Sequence, residues 1–106
     1  MAEKVTAGSD ILGEFAPKFA ECNDDVLFGQ IWSREEELPA KIRSIVTVSA
    51  LISGGNLEQL EHHLQRAKAN GVTKEEISEI ITHIAFYVGW PKAWSAFNRA
   101  KEIWAD

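Results

Sequence analysis

Cysteine is nearly absent from this chain: Cys22 is the only one in 106 residues. One thiol excludes an intramolecular disulfide, a CxxC redox pair and a cysteine-based zinc site, because each needs at least two. Basic residues are few as well, with 11 Lys and Arg against 16 Asp and Glu and a net charge of −5. They are scattered along the chain, so the electropositive footprint required by nucleic acid or an anionic membrane is missing. Long hydrophobic runs are lacking too. The stretch Ile45–Ile52, among the longest, is far too short to cross a bilayer. The opening MAEKVTAGSD has no basic-then-apolar layout of a secretory signal, and the cytoplasm is the expected compartment. No low-complexity tract, repeat or dividing linker interrupts the chain. Its length suits one domain, expected over residues 9–106 behind a flexible N-terminal tail at 1–8.

What is present is a succession of helix signals. A short helix is expected from Ser9 or Asp10, and Pro17 suits the first turn of the next. That next segment, 16–32, reads as a helical pattern broken near Asn23–Asp24. Pro39 opens another helix, with Ile42, Ile45, Val46, Ser49 and Ile52 along its expected inner face and Gly54–Gly55 at its end. Asn56 can cap a helix carrying Leu57, Leu60, Leu64 and Ala67 on one side, stopped at Gly71. Thr73-Lys74-Glu75-Glu76 is a capping box, in which the Thr hydroxyl and Glu carboxylate satisfy each other's backbone N–H groups. The helix it launches carries Ile77, Ile80, Ile81, Ile84, Ala85 and Val88, with Phe86 and Tyr87 widening the apolar arc. A helix apolar nearly all round must be covered nearly all round, which points to a second copy of the chain; the plainer alternative is the central helix of a monomeric bundle. Gly89 ends it, and Trp90-Pro91 starts a last helix with Ala93, Ala96, Phe97, Ala100 and Trp104 inward. No segment sustains a period of two, so the fold class is all-α, a bundle of about six helices.

Three histidines are available for proton chemistry. His63 lies at the margin of the apolar stripe formed by Leu60, Leu64 and Ala67, where an imidazole can be both desolvated and reachable. A packed histidine bonded to a neighbouring carbonyl is the plainer alternative. His62 projects about 100° away, beside Glu58 and Arg66, toward solvent. His83, Tyr87 and Trp90 share a helix face and could form an aromatic pocket wall with a polar tip, or a subunit contact. Arg43 offers a planar donor fork for a carboxylate, while Glu35-Glu36-Glu37 precede a helix start, where the macrodipole favours negative charge. No HxxxH, HxH or ExxH pair is convincingly arranged, so no metal is expected.

From Trp32 to Trp104 the chain resembles the carboxymuconolactone decarboxylase family, which includes the AhpD-like alkylhydroperoxidases. The resemblance rests on four ordered pieces. They are Leu38-x-x-Lys41-x-Arg43, Glu58-x-Leu60-x-x-His63, Ala67-x-x-Asn70-Gly71-Val72-Thr73-x-Glu75-Glu76-Ile77 and Ala85-x-Tyr87-x-Gly89-x-Pro91-x-Ala93. It implies an AhpD-like helical protomer assembling as a homotrimer or homohexamer. The redox branch of the family carries its second cysteine four residues before the matching histidine and a glutamate nineteen before it. Those places hold Gln59 and Ser44 here, and Asn56 stands where the first cysteine would be. Cys22 lies outside the motif.

The resemblance therefore implies the decarboxylase branch: a lyase without cofactor acting on a small carboxylated unsaturated lactone or related cyclic acid. His63 is then the expected proton donor, with Arg43 as carboxylate or oxyanion partner and Glu36 or Glu58 orienting the imidazole. Trp32, His83, Tyr87 and Trp90 would bind substrate. Trp90 and Trp94 place large rings where the pattern often has smaller residues, so the pocket is expected to be reshaped. Two other functions stand beside this one: a non-catalytic oligomeric protein that binds a small acid, and a thiol hydroperoxide reductase. The second of these lacks a placed thiolate.

Overall fold

The computed structural model describes residues 4–106; residues 1–3 of the expected tail lie outside the described residues. Six α-helices and one π-helical segment account for the regular structure, and no strand occurs among the described residues. The chain divides into two compact units, one running up to Ala40 and the other from Lys41 onward.

The first unit contains α1 (Ala7–Leu12), α2 (Pro17–Glu21) and a π-helical segment, Cys22–Ile31. Pro17 opens α2, as its fixed φ and missing N–H favour. The break anticipated near Asn23–Asp24 does not occur. The backbone instead widens into i→i−5 pairing, which closes with the Trp32 N–H donating to the Leu27 carbonyl at 2.9 Å.

Helix α1 starts at Ala7, two residues before the expected Ser9. The cause is Asp24, a buried carboxylate that accepts the N–H groups of Gly8 and Ser9, each at 2.8 Å, and the Asn23 amide at 3.0 Å. Thr6, at the N-cap position, makes no side-chain cap bond, so a residue distant in sequence does the capping. The Asn23 amide first, then the two backbone donors and Lys4, hold the Asp24 carboxyl below the usual carboxylate range against the opposing effect of burial.

This clasp leaves no room for a side chain at position 8. A Cβ on Gly8 would stand 2.7 Å from Asp24 Oδ1, 2.9 Å from the Ala20 carbonyl oxygen and 3.1 Å from Ala20 Cα. Gly→Ala inside a helix ordinarily gains about 0.5–1 kcal/mol. Here overpacking should reverse the sign and cost about 1–3 kcal/mol. Gly8→Ala is expected to lower the midpoint of thermal unfolding followed by circular dichroism. A raised midpoint would mean that the clasp yields.

The second unit holds α3 (Ala40–Gly54) from its second residue onward, together with α4 (Leu57–Ala69), α5 (Lys74–Val88) and α6 (Trp90–Ile103). On α3 the buried stripe is Ser44, Val48 and Ile52, whereas Ile42 and Val46 are exposed and Ile45 and Ser49 are half-buried. This corrects the expected inner face, of which Ile52 alone is fully buried. Helix α3 is apolar on most sides, so periodicity cannot pick its stripe. Ser44 tolerates burial because the Asn70 amide donates to its Oγ at 2.9 Å.

Helix α4 follows its pattern, with Leu60, Leu64 and Ala67 buried. Asn56 stands at its N-cap, but its side chain makes no capping bond. The capping box of α5 forms as read. Glu76 N–H donates to Thr73 Oγ1 at 3.1 Å, and Thr73 N–H donates to Glu76 Oε1 at 2.9 Å. Glu76 also pairs with Lys41 at 3.0 Å. Gly89, at φ 104°, joins α5 to α6 in a conformation that side chains rarely adopt. Buried Ala93, Ala96 and Ala100 let α6 lie close against α4 and α5, and Trp104 closes the core at its end.

Candidate functional site

Helix α4 sets the position of His63. Its buried stripe turns Leu60, Leu64 and Ala67 inward and leaves His63 half-buried at the border. Burial first, then the charges of His62 and Arg66, push the imidazole from its ordinary value down to about 4. The His62 ring stands edge-on, with centroids 5.4 Å apart and planes at 84°. Arg66, one turn on, is half-buried, and burial lowers its own pKa. At neutral pH His63 is therefore an uncharged imidazole, able to accept a proton. Its proton affinity rises when an anion is placed against it.

Polar residues continue along this face of α4. Gln59 lies one turn before His63, and Arg66 and Asn70 lie one and two turns after it. The Asn70 amide reaches the fully buried Ser44 hydroxyl on α3. The sequence does not show this bond: Asn70 stands in it as a position of the third family motif ahead of Gly71, and Ser44 as the residue at the place of the redox branch's glutamate.

Arg43 is the neighbour of Ser44 on α3 and is half-buried, with the Thr47 hydroxyl donating to its carbonyl at 2.8 Å. Glu58 is exposed in the first turn of α4. It lies about 140° around the helix from His63 and shares the face of His62 instead.

Glu36 and Trp32 belong to the first unit, where Glu36 is exposed and Trp32 stacks on Phe28 with centroids 5.9 Å apart. Of the expected aromatic wall, His83 and Tyr87 meet at 5.3 Å on α5, and both are exposed. Trp90 contacts Phe86 edge-on at 5.9 Å and lines a cleft of about 160 Å³ with Thr82, Ala85, Ala93, Trp94 and Phe97. His83 and Tyr87 are not part of that lining. The outer surface of α5 and α6 is strongly aromatic, with Phe86 77%, Tyr87 78%, Trp90 54% and Trp94 63% exposed.

Among the described residues no three His, Cys, Asp or Glu side chains gather as a metal site would require. No helix among them is long and apolar enough to cross a membrane. Cys22 is exposed at the start of the π-helical segment.

Comparison with known proteins identifies relatives of the chain. The chain is 36% identical over 95 residues to a 4-carboxymuconolactone decarboxylase of Acinetobacter baylyi, covering 90% of this chain and 70% of that protein. It is 38% identical over 64 residues to the nitrosuccinic acid decarboxylase npaB of Metarhizium robertsii, covering 60% of this chain and 44% of that one. An uncharacterized 15.0 kDa protein of Paracoccus denitrificans is 33% identical over 84 residues, with 77% of this chain and 62% of its own length covered. The chain thus spans less than two thirds of the latter two proteins. The profile describing the carboxymuconolactone decarboxylase family matches residues 17–102, which takes in α2 through nearly all of α6. With residues 17–102 matched by the family and 90% of the chain aligned to the decarboxylase of Acinetobacter baylyi, this chain belongs to the carboxymuconolactone decarboxylase family.

Proposed function

We propose that the protein is a carboxy-lyase that removes CO₂ from a small unsaturated lactone or related cyclic acid without a cofactor, with His63 moving the proton. The observation that carries this reading is the desolvated, uncharged His63 at the border of α4. Similarity to two proteins named decarboxylases supports it. In such a reaction the bond between ring carbon and carboxylate breaks and its electrons enter the conjugated lactone as a dienolate. The dienolate carbon then takes a proton. The substrate is its own electron sink, so the protein has to orient the carboxylate, stabilise the enolate oxygen and deliver the proton.

The anion raises the proton affinity of His63, so the imidazole takes up a proton as substrate binds and returns it to carbon. Arg43 is the proposed partner of the carboxylate or the enolate oxygen. Incubating the purified protein with γ-carboxymuconolactone should release CO₂ at a rate that depends on His63. If folded protein binds this lactone and related cyclic acids but returns them unchanged, the lyase reading fails in favour of a binding protein.

The proposal includes self-association as a homotrimer or homohexamer through the aromatic face of α5 and α6. In support, four large rings are exposed there, and clustered exposed aromatic residues are a feature of interaction surfaces. Phe86→Glu combined with Trp94→Glu should shift the mass measured by light scattering after gel filtration toward one chain. A wild-type chain that runs as a monomer at high concentration would overturn the assembly.

A further inference from the structure

A second cleft of about 240 Å³ lies between the N-terminal half of α5 and the C-terminal half of α6. Its floor is apolar, made by Ile77, Phe97, Ala100 and Trp104. Trp104 presents only its ring there, because its indole N–H is committed to the Val72 carbonyl at 3.0 Å. The lip is different in kind. Lys74 and Ser78 stand one turn apart on α5, Lys101 faces them from α6, and all three are exposed.

Neither lysine takes part in an ion pair among the described residues, although the chain carries 16 acidic side chains. Lys4, Lys18, Lys41 and Lys68 are all paired with carboxylates. Two unpaired ammonium groups and a hydroxyl over an apolar floor match one ligand chemistry: a compact hydrocarbon ring bearing a carboxylate. The ring replaces water on the floor, and the carboxylate accepts hydrogen bonds from the lip. A volume near 240 Å³ suits a ligand part of single-ring size.

We infer that this cleft is a binding site for a small aromatic or alicyclic monocarboxylate, held by Lys74, Ser78 and Lys101 over Ile77, Phe97 and Trp104. It is a different place from His63, which is not part of its lining. The inference does not depend on the lyase reading.

The probe is sodium benzoate, titrated into the full-length isotope-labelled protein and followed by two-dimensional amide NMR. Benzyl alcohol serves as the uncharged control. Shifts should concentrate at Lys74, Ser78, Ala100 and Lys101, with a dissociation constant of about a millimolar, as suits so few ligand atoms. Lys74→Glu combined with Lys101→Glu alters exposed side chains only, and should weaken benzoate about tenfold or more while leaving benzyl alcohol nearly unchanged. Shifts confined to the surroundings of His63, or equal binding of acid and alcohol, would overturn the inference. Benzoate affinity unchanged by the double charge reversal would do so as well.

Discussion

His63→Gln should lower turnover by about 10²–10⁴-fold while leaving the fold intact, the usual loss when a general acid–base group is removed. Glutamine keeps a polar group of similar reach but cannot titrate, so the variant isolates the proton from the contact. The pH dependence tests the role more sharply. His63 is pushed down to about 4, first by burial and then by His62 and Arg66, so the free protein holds little imidazolium at neutral pH. If the imidazolium delivers the proton, kcat/KM must fall by roughly tenfold per pH unit above that value, because it reports the free protein. Meanwhile kcat stays level to a higher pH, since bound anion raises the pKa. A kcat/KM that is flat between about pH 5 and 7 would remove the imidazolium from this step.

The same shift has a thermodynamic sign. The folded state holds this proton less tightly than the unfolded chain, so stability is full above the ordinary histidine value. It declines as pH falls toward the depressed one. The Asp24 carboxyl, also held below its ordinary value, loses its contribution in the same direction. Activity that requires imidazolium and stability that opposes it therefore pull against each other on the acid side. A stability profile measured on His63→Gln should be flatter over that range than that of the parent.

Local rules made much of this protein legible. The capping box at Thr73 and Glu76, Pro17 at the start of α2 and Gly89 between α5 and α6 obey constraints spanning only a few residues, and all three occur. The stripes of α4 and α6 were readable because a polar face opposes each of them. Helix α3 offers no such contrast; its buried face is Ser44, Val48 and Ile52, where the Ser44 hydroxyl is satisfied by Asn70, a residue far away in sequence. Asp24 is the same lesson in the first unit. An aspartate beside an asparagine suggests a break, yet its carboxylate caps another helix and the chain continues as a π-helix. At the candidate site, helix position placed His63 at a buried border. The five-residue spacing of Glu58 and His63 sets them about 140° apart on the helix, so the motif that paired them conflicts with the helical geometry that separates them. Tyr87 shares a face with His83 as read, but that face is open to solvent, because shared orientation says nothing about what covers it.

Trp104→Ala should be the most destabilising single change in the second unit, at about 3–5 kcal/mol. Two losses combine there. The ring is 6% exposed in the core and its removal leaves a cavity. The indole N–H donates at 3.0 Å to the carbonyl of Val72, a residue only 2% exposed, and that acceptor would be left without this donor. Val72 lies in the turn between α4 and α5, with its own N–H bonded to the Ala67 carbonyl. Trp104 thus fastens the end of α6 to that turn, beside Lys68 of α4, which donates to the Ile103 carbonyl at 2.9 Å. Trp104→Phe separates the two effects, since phenylalanine keeps most of the apolar contact but has no N–H. It should cost about 1–3 kcal/mol, chiefly the price of the unmet carbonyl. Urea unfolding of the parent and both variants reads the difference. A Phe variant as unstable as the Ala variant would put the weight on the hydrogen bond, whereas one equal to the parent would leave packing alone to hold α6. Because a domain's total stability is only about 5–15 kcal/mol, the larger loss should also be visible as partial unfolding without denaturant near body temperature.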